Sequence, residues 1–281
     1  MIDLMATNPT IGRWQLAFEL KRLRGGKTRD SVARGIEVAP TSITRWEDPA
    51  QTLPRLRDLK ALLSYYEVAE GDAQRLLDLY AQAKKRGWWQ TYGVEKRYGT
   101  YIGLEAAATR IETFESELVP GLFQTEDYAR AVTAKTAPHT TAEEIEANVK
   151  VRLERQRTWH ESQPETWAIL AEPAIRHYVG GAAVMRDQLE RLVELSYEPH
   201  VDVQVIPFSA GGHAALERGS FVLLHLDDIF VVYTEGVASN LFQDRPEDLE
   251  SHRKILDKLR ADAISPEQSR VLIQAAARDM E

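Results

Sequence analysis

The sequence contains no cysteine, and this absence excludes several kinds of site. Without thiols the chain forms no disulfide, no thiolate zinc site and no cysteine nucleophile. It also has no apolar run near the ~20 residues that a membrane-spanning helix needs. The opening stretch, MIDLMATNPT, lacks the basic and apolar regions of a signal peptide. We therefore expect a cytoplasmic protein.

Motifs for catalysis and cofactor binding are missing as well. PFSAGGH is close to a nucleophile elbow, but Pro207 stands two places before Ser209, where G-x-S-x-G requires glycine. GxxxxGK[ST] and GxGxxG do not occur, and the seven histidines are scattered without a ligand spacing such as HExxH. The sequence therefore predicts no enzyme, no metal site and no cofactor.

Charge is distributed unevenly along the 281 residues, a length that suits two domains. The net charge is −8, yet residues 11–60 hold eleven Lys or Arg and six Asp or Glu, so 11 − 6 = +5. Residues 91–281 hold twenty and thirty-two, so 20 − 32 = −12. A small basic N-terminal part joined to an acidic C-terminal part favours anion binding by the N-terminal part. Chance surface charge is the alternative.

The N-terminal part has the pattern of a compact helical domain. Apolar residues recur at helical spacing in IGRWQLAFELKRLR (11–24), and GGK ends that stretch. Thr28 is placed to cap a second helix with Val32, Ala33 and Ile36 on its inner side. PTSITRW, RLRDLKALLSYYEV and EGDAQRLLDLYAQAKKRG complete five predicted helices.

From about residue 100 the pattern is mixed. TYIGLEAAATRIETFES is predicted to be helical, as are ELVPGLFQTEDYARAVTA after its Pro-Gly turn, TTAEEIEANVKVRLERQRTWHES and GGAAVMRDQLERLVELSY. Strands are predicted at 166–171, 201–208, 219–226 and 229–236. Two helices close the chain, and Ser265 with Gln268 forms a capping-box pattern at the second.

These patterns predict a multidomain chain. Residues 1–86 are assigned to an all-α domain, 87–100 to a junction, and 101–281 to an α+β domain with a small, mostly antiparallel sheet. The junction contains the pair Trp88–Trp89, which serves either as an interface anchor or as core between the domains.

Residues 28–47 have the spacing of a helix, a three-residue turn and a second helix. Ala33 supplies the small residue that a close helix crossing needs, and Val38 is the apolar residue of the turn. Ile43 and Trp46 form the apolar back of the second helix. Its other positions are polar, which is typical of a helix that reads the major groove of DNA.

The stretch TRDSVARGIEVAPTSITRWE resembles the Xre-type, lambda-repressor-like helix-turn-helix. The resemblance implies that the second helix meets base edges while its surroundings meet phosphates. The base-reading candidates are Pro40, Thr41, Thr44 and Arg45, and Arg45 suits a bidentate contact to guanine. The phosphate candidates are Lys27, Arg29, Ser42, Arg55 and Arg57.

The sequence departs from this family's pattern at two positions. Glu37 stands where the turn usually has glycine, and Ala39 stands where the N-cap is usually serine or threonine. A non-glycine residue at positive φ costs energy, alanine has no capping oxygen, and a glutamate near phosphates opposes binding. A helix-turn-helix fold kept only for protein contacts is therefore the alternative.

The resemblance extends through nearly the whole chain. RGWWQTYG, YIGLEAAATRIETFESELVPGLFQTEDYARAV, VRLERQR, VQVIPFSAGGH and GSFVLL are similar to a large actinobacterial family. Its members join an Xre-type domain to a C-terminal domain of unknown function, and some are antitoxin-like or WhiJ-like regulators.

This resemblance implies a sequence-specific transcriptional regulator that binds double-stranded DNA as a homodimer and is nucleoid-associated when bound. Its C-terminal domain would bind a partner protein or a ligand and support dimerisation. The alternative is an antitoxin-like protein whose main role is to hold a small partner protein encoded nearby, with DNA binding for autoregulation.

The most distinctive segment of the predicted C-terminal domain is VPGLFQTEDYARAV. A Pro-Gly turn followed by apolar residues predicts either a groove for a ligand or peptide, or a buried corner that orients two helices. The residues concerned are Pro120, Gly121, Leu122, Phe123 and Gln124.

Overall fold

A computed structural model describes residues 9–49, 51–85, 96–136, 140–226, 229–235 and 241–280. The chain divides into two compact units, Met1–Ala107 and Ala108–Glu281. Most of the predicted junction, including Trp88–Trp89, lies outside the described residues. Among the helices described, none is long and apolar enough to cross a membrane.

The first unit is helical, as the sequence predicts. Its described helices are α1 (Pro9–Arg24), α2 (Arg29–Gly35), α3 (Pro40–Trp46), α4 (Leu56–Tyr65), α5 (Glu70–Ala83) and α6 (Lys96–Glu105). The apolar sides of the first five meet in one core that contains Leu16, Val32, Ile43, Leu59 and Leu76. Each of these helices is short, so most of its stability comes from packing against the others.

Glycine permits the close approach of α1 and α5. A Cβ added at Gly12 would lie 3.0 Å from the backbone nitrogen of Ala83 and 3.1 Å from the carbonyl oxygen of Leu79. Next to it, Nε of Arg13 donates to the carbonyl of Ala83 at 3.1 Å and so satisfies the end of α5.

The same turn joins α2 to α3 and α4 to α5. Glu37 and Glu67 have left-handed backbones, with φ of 57° and 54°. The following valines, Val38 and Val68, donate their N–H groups to carbonyls five residues earlier, at 2.9 and 3.0 Å. Both valines pack against the core of the first unit. The positive φ that the sequence predicts at Glu37 is therefore confirmed.

The second unit is α+β. Its strands are β1 (Arg110–Glu115), β2 (Glu165–Ala171), β3 (Val201–Ile206), β4 (Phe221–Leu226), β5 (Ile229–Thr234) and β6 (Leu241–Gln243). Its helices are α7 (Glu126–Thr136), α8 (Ala142–Ser162), α9 (Pro173–Arg176), α10 (Ala182–Leu195), α11 (Pro246–Asp262) and α12 (Pro266–Arg278). The capping box predicted at Ser265 and Gln268 is confirmed at the start of α12.

The sheet is mixed, so the prediction of a mostly antiparallel sheet is wrong. The strand order is β3-β2-β1-β4-β5-β6. The pairs β1–β2 and β2–β3 are parallel, whereas β1–β4, β4–β5 and β5–β6 are antiparallel. The helices α7 and α8 connect β1 to β2, and α9 and α10 connect β2 to β3. Helical crossovers of this kind return the chain in the same direction and make strands parallel.

The helix predicted across TYIGLEAAATRIETFES is wrong in its second half. The helix α6 ends at Glu105, and β1 begins at Arg110 in the interior of the sheet. Four consecutive residues of β1 are buried, including Ile111 and Phe114, because elements cover both faces of the strand. A strand buried on both faces has no alternating pattern, so its sequence is hard to tell from that of a helix.

Helix α11 and the sheet enclose the main core of the second unit. Phe114, Ile169, Leu223, Val232 and Leu259 are buried there at 1% exposure or less. At the β3 edge of the sheet, the hydroxyl of Ser269 on α12 accepts from the backbone N–H of Val205 at 2.9 Å. This contact covers an edge that would otherwise offer free backbone groups.

Candidate nucleic-acid interface

Local hydrogen bonds set the two short helices α2 and α3. The hydroxyl of Thr28 accepts from a backbone N–H in the first turn of α2 at 3.1 Å, which confirms the predicted cap. Val32 and Ala33 of α2 are fully buried. Helix α3 follows Ala39, whose side chain makes no capping bond, and begins at Pro40. Proline partly compensates, because it has no N–H that needs a partner.

Helix α3 has one buried side and one exposed side. Ile43 is 1% exposed, and Trp46 is partly buried against the same core. The exposed residues are Pro40, Thr41, Thr44 and Arg45, and these are the four base-reading candidates. Positions 40, 41, 44 and 45 lie on one side of a helix because a turn takes 3.6 residues. The structure therefore brings the four candidates together on one surface of the first unit.

The phosphate candidates differ in exposure and in partners. Lys27, Arg29, Arg55 and Arg57 are exposed, whereas Ser42 is only half-exposed. Arg57 forms an ion pair with Asp58 at 2.9 Å, and Arg29 forms one with Glu47 at 3.0 Å. Each guanidinium has five N–H donors, so both retain donors for a phosphate.

Glu47 anchors the end of α3, a role that sequence reasoning missed. Its side chain is 3% exposed and accepts from Nε of Arg24 at 2.5 Å and from Nε of Arg29 at 3.0 Å. These bonds tie the end of α3 to the end of α1 and to the start of α2. Burial, together with the Glu47 carboxylate, raises the pKa of the neighbouring Tyr66 hydroxyl to about 12, so Tyr66 stays neutral.

No local spacing could have revealed this contact. Arg24 and Arg29 precede Glu47 by 23 and 18 residues. Side-chain pairs on one helix are recognised at spacings of three and four. Only the packing of α1, α2 and α3 places these three charges together.

The second predicted site lies at the corner that follows β1. Gly121–Phe123 forms a single 3-10 turn, and the chain then enters α7. The buried side chains among residues 120–124 are Pro120, Leu122, Phe123 and Gln124. Their burial matches the alternative of a corner that orients helices.

Glutamine side chains from two helices satisfy the backbone of this corner. The Gln156 amide on α8 donates to the carbonyls of Gly121 and Gln124, each at 2.8 Å. The Gln188 amide on α10 donates to the carbonyl of Phe123 at 2.9 Å. The corner is therefore fixed between α8 and α10, and a role for Pro120–Gln124 as a ligand groove stays a prediction.

The part of the chain that the structure describes contains no group of three or more histidine, aspartate or glutamate side chains that could hold a metal ion. One half-buried histidine has a structural partner instead. Nε2 of His225 on β4 lies 2.5 Å from the Glu112 carboxylate on β1. Burial, with Arg110 and Arg253 nearby, lowers the pKa of His225 to about 4, so the ring is neutral at pH 7.

Comparison with known proteins identifies the second unit. The domain of unknown function DUF5753 matches residues 98–275, which is more than half of the 281 residues. A search among curated proteins and a search among solved structures gave no significant match. The matched residues include every strand of the mixed sheet and begin after α5. The chain therefore belongs to the DUF5753 family.

Proposed function

We propose that this protein is a sequence-specific, DNA-binding transcriptional regulator of the Xre type. The observation that carries the proposal is the exposed side of α3. Pro40, Thr41, Thr44 and Arg45 lie outward, while Ile43 packs into the core. A short helix that is apolar at its back and polar in front has the form of a helix that reads the major groove.

The charge of the two units supports this proposal. Residues 1–107 hold 17 Lys or Arg and 13 Asp or Glu, so 17 − 13 = +4, and residues 108–281 hold 18 and 30, so 18 − 30 = −12. The phosphates of DNA attract a basic unit and repel an acidic one, whatever the base sequence of the duplex. The first unit therefore suits contact with DNA, and the second opposes nonspecific coating of the duplex.

The proposal assigns assembly and control to the second unit. Helix-turn-helix regulators usually bind as dimers, with half-sites about 34 Å apart. We propose that the DUF5753 domain supports such a homodimer and binds a partner protein or a ligand that alters it. Such a partner could be a small protein encoded nearby.

The test is binding of the purified full chain to the promoter of its own gene and to random DNA, over a series of salt concentrations. We expect a preference for the promoter and an affinity that falls steeply with salt. Equal affinity for both duplexes at every salt concentration would contradict the proposal.

Replacing single arginines separates base contacts from phosphate contacts. Arg45→Ala should weaken promoter binding by about 1–3 kcal/mol and relax the preference at one base pair. Arg57→Ala, the matched control, should weaken promoter and random DNA by the same factor. An equal loss on all sequences for Arg45→Ala would make Arg45 a phosphate contact instead.

A further inference from the structure

The turn before α3 carries a negative charge next to the helix that we propose to read DNA. Glu37 is exposed and lies three residues before Pro40. The exposed basic residues between positions 27 and 47 are Lys27, Arg29, Arg34 and Arg45, and Asp30 is the other exposed acidic residue there. Among the described residues, the Glu37 carboxylate forms neither an ion pair nor a hydrogen bond, and only its backbone N–H is bonded, to the carbonyl of Arg34 at 3.4 Å. The charge is therefore not neutralised by a specific partner.

The backbone of this turn does not require a glutamate. At a φ of 57° glycine would be less strained, and the bonds of the turn come from the main chain. The Glu37 side chain thus contributes its charge to the surface and nothing to the hydrogen bonds of the turn.

The chain contains a natural control for this charge. Glu67 occupies the same position of the same turn between α4 and α5, has a φ of 54° and is also exposed. Acidic residues of the first turn of α5, Glu70 and Asp72, follow it. The two glutamates therefore share a local conformation but differ in the helix that follows, because the first turn of α3 contains no acidic residue.

We propose that the Glu37 carboxylate lowers the affinity of the α3 surface for every DNA duplex, whatever its sequence. The inference rests on the proposed function, because it needs a duplex against α3. A negative charge within about a Debye length of the phosphates repels them, and this repulsion is the same for all sequences. Base contacts of α3 then decide which duplexes remain bound at physiological salt.

The experiment compares Glu37→Gln with Glu67→Gln in the full chain. Glutamine keeps the size of the side chain and leaves the strain of the left-handed backbone in place, so the charge alone changes. Dissociation constants are measured for the promoter fragment and for random DNA, from low to high salt. Thermal unfolding verifies that both variants remain folded.

The expected result for Glu37→Gln is about 1.5- to 2.5-fold tighter binding to both duplexes at ~0.1 M salt, the effect of one charge at roughly 8 Å in water with and without screening. The gain should shrink toward none at ~1 M salt, where the Debye length is about 3 Å. Glu67→Gln should bind both duplexes like the unmodified chain.

Three results would overturn this inference while leaving the proposed function intact. Glu37→Gln could leave both affinities unchanged, could tighten the promoter complex alone, or could match the effect of Glu67→Gln and so reflect only net charge. A different result, in which the unmodified chain shows no preference for the promoter at any salt, would contradict the proposed function itself.

Discussion

Single residues decide how closely α2 and α4 pack, and Gly35 is the clearest case. A Cβ added there would lie 2.1 Å from Cε2 of Tyr65. The Tyr65 ring packs edge-on against Tyr66 with centroids 5.8 Å apart, and its hydroxyl lies 3.5 Å from the carbonyl of Ser31. The ring cannot move away without losing these contacts. We therefore expect Gly35→Ala to destabilise the first unit by about 1–2 kcal/mol, as overpacking does.

Urea denaturation followed by far-UV circular dichroism would measure this loss. Gly71→Ala is the matched control, because a Cβ at Gly71 meets nothing within 4 Å and alanine favours the helix. That variant should gain up to about 1 kcal/mol. In a Tyr65→Ala background the cost of Gly35→Ala should vanish, and a cost that persists there would show that the ring is not its cause.

Glu115, the last residue of β1, makes the stability of the second unit depend on pH. Burial raises the pKa of its carboxyl to about 7, and the nearby Glu235 carboxylate adds to this effect. In the unfolded chain the pKa returns to about 4.3. The folded state therefore binds more protons between these values, and stability is lost as pH rises from about 4 to about 7.

Glu115→Gln should remove this dependence, because an amide does not ionise. At pH 8 we expect the variant to be more stable than the original chain by about 1–3 kcal/mol, and below pH 4 we expect no difference. Chemical denaturation at a series of pH values measures both. Glu217→Gln, an exposed glutamate in the same unit, should leave the curve unchanged. A gain from Glu115→Gln that is equal at all pH values would refute this account.

At the scale of elements, local signals in the sequence predicted most helices and four strands. Thr28 and Ser265 mark true helix starts, because capping is a short-range interaction between a side chain and the next backbone turn. Val201, Val203 and Val205 are buried in β3, as their alternation predicts.

The elements that were missed depend on distant parts of the chain. The strand β1 pairs with β2 and β4, which lie about 55 and 110 residues further on, and elements distant in the sequence cover both of its faces. The three-residue β6 is too short to show a pattern. Gln204, predicted on the polar face of β3, is buried, and its amide is satisfied by the Trp167 indole on β2 and by the carbonyl of Ile264. Such partners cannot be read from local spacing.

The candidate site also has one part that a local pattern predicts and one part that depends on residues distant in the sequence. The outward positions of α3 follow from helical periodicity around Ile43, so a local pattern was sufficient to place them on one side. The buried carboxylate of Glu47, which fixes that helix through Arg24 and Arg29, depends on three helices and left no local pattern. The exposed positions of α3 were thus predictable, whereas the residue that orients this helix was not.

At the scale of the whole molecule, the proposed homodimer makes a geometric prediction. Two reading helices held by one dimer reach half-sites separated by one helical turn, about 34 Å or 10–10.5 base pairs. Inserting about five base pairs between the half-sites rotates one of them to the opposite face of the duplex. The first unit of the second protomer then cannot bind its half-site unless the protein or the DNA deforms. The affinity of the dimer should therefore fall to that for a single half-site.

Binding to promoter fragments with altered spacing tests this, once footprinting has located the half-sites. The matched control changes the same number of base pairs outside the half-sites, which should have no effect on affinity. Sedimentation of the free protein gives the oligomeric state independently. A chain that sediments as a monomer and binds fragments of either half-site spacing equally would bind DNA through a single first unit. In that case the DUF5753 domain would have a role other than setting the distance between two DNA-binding units.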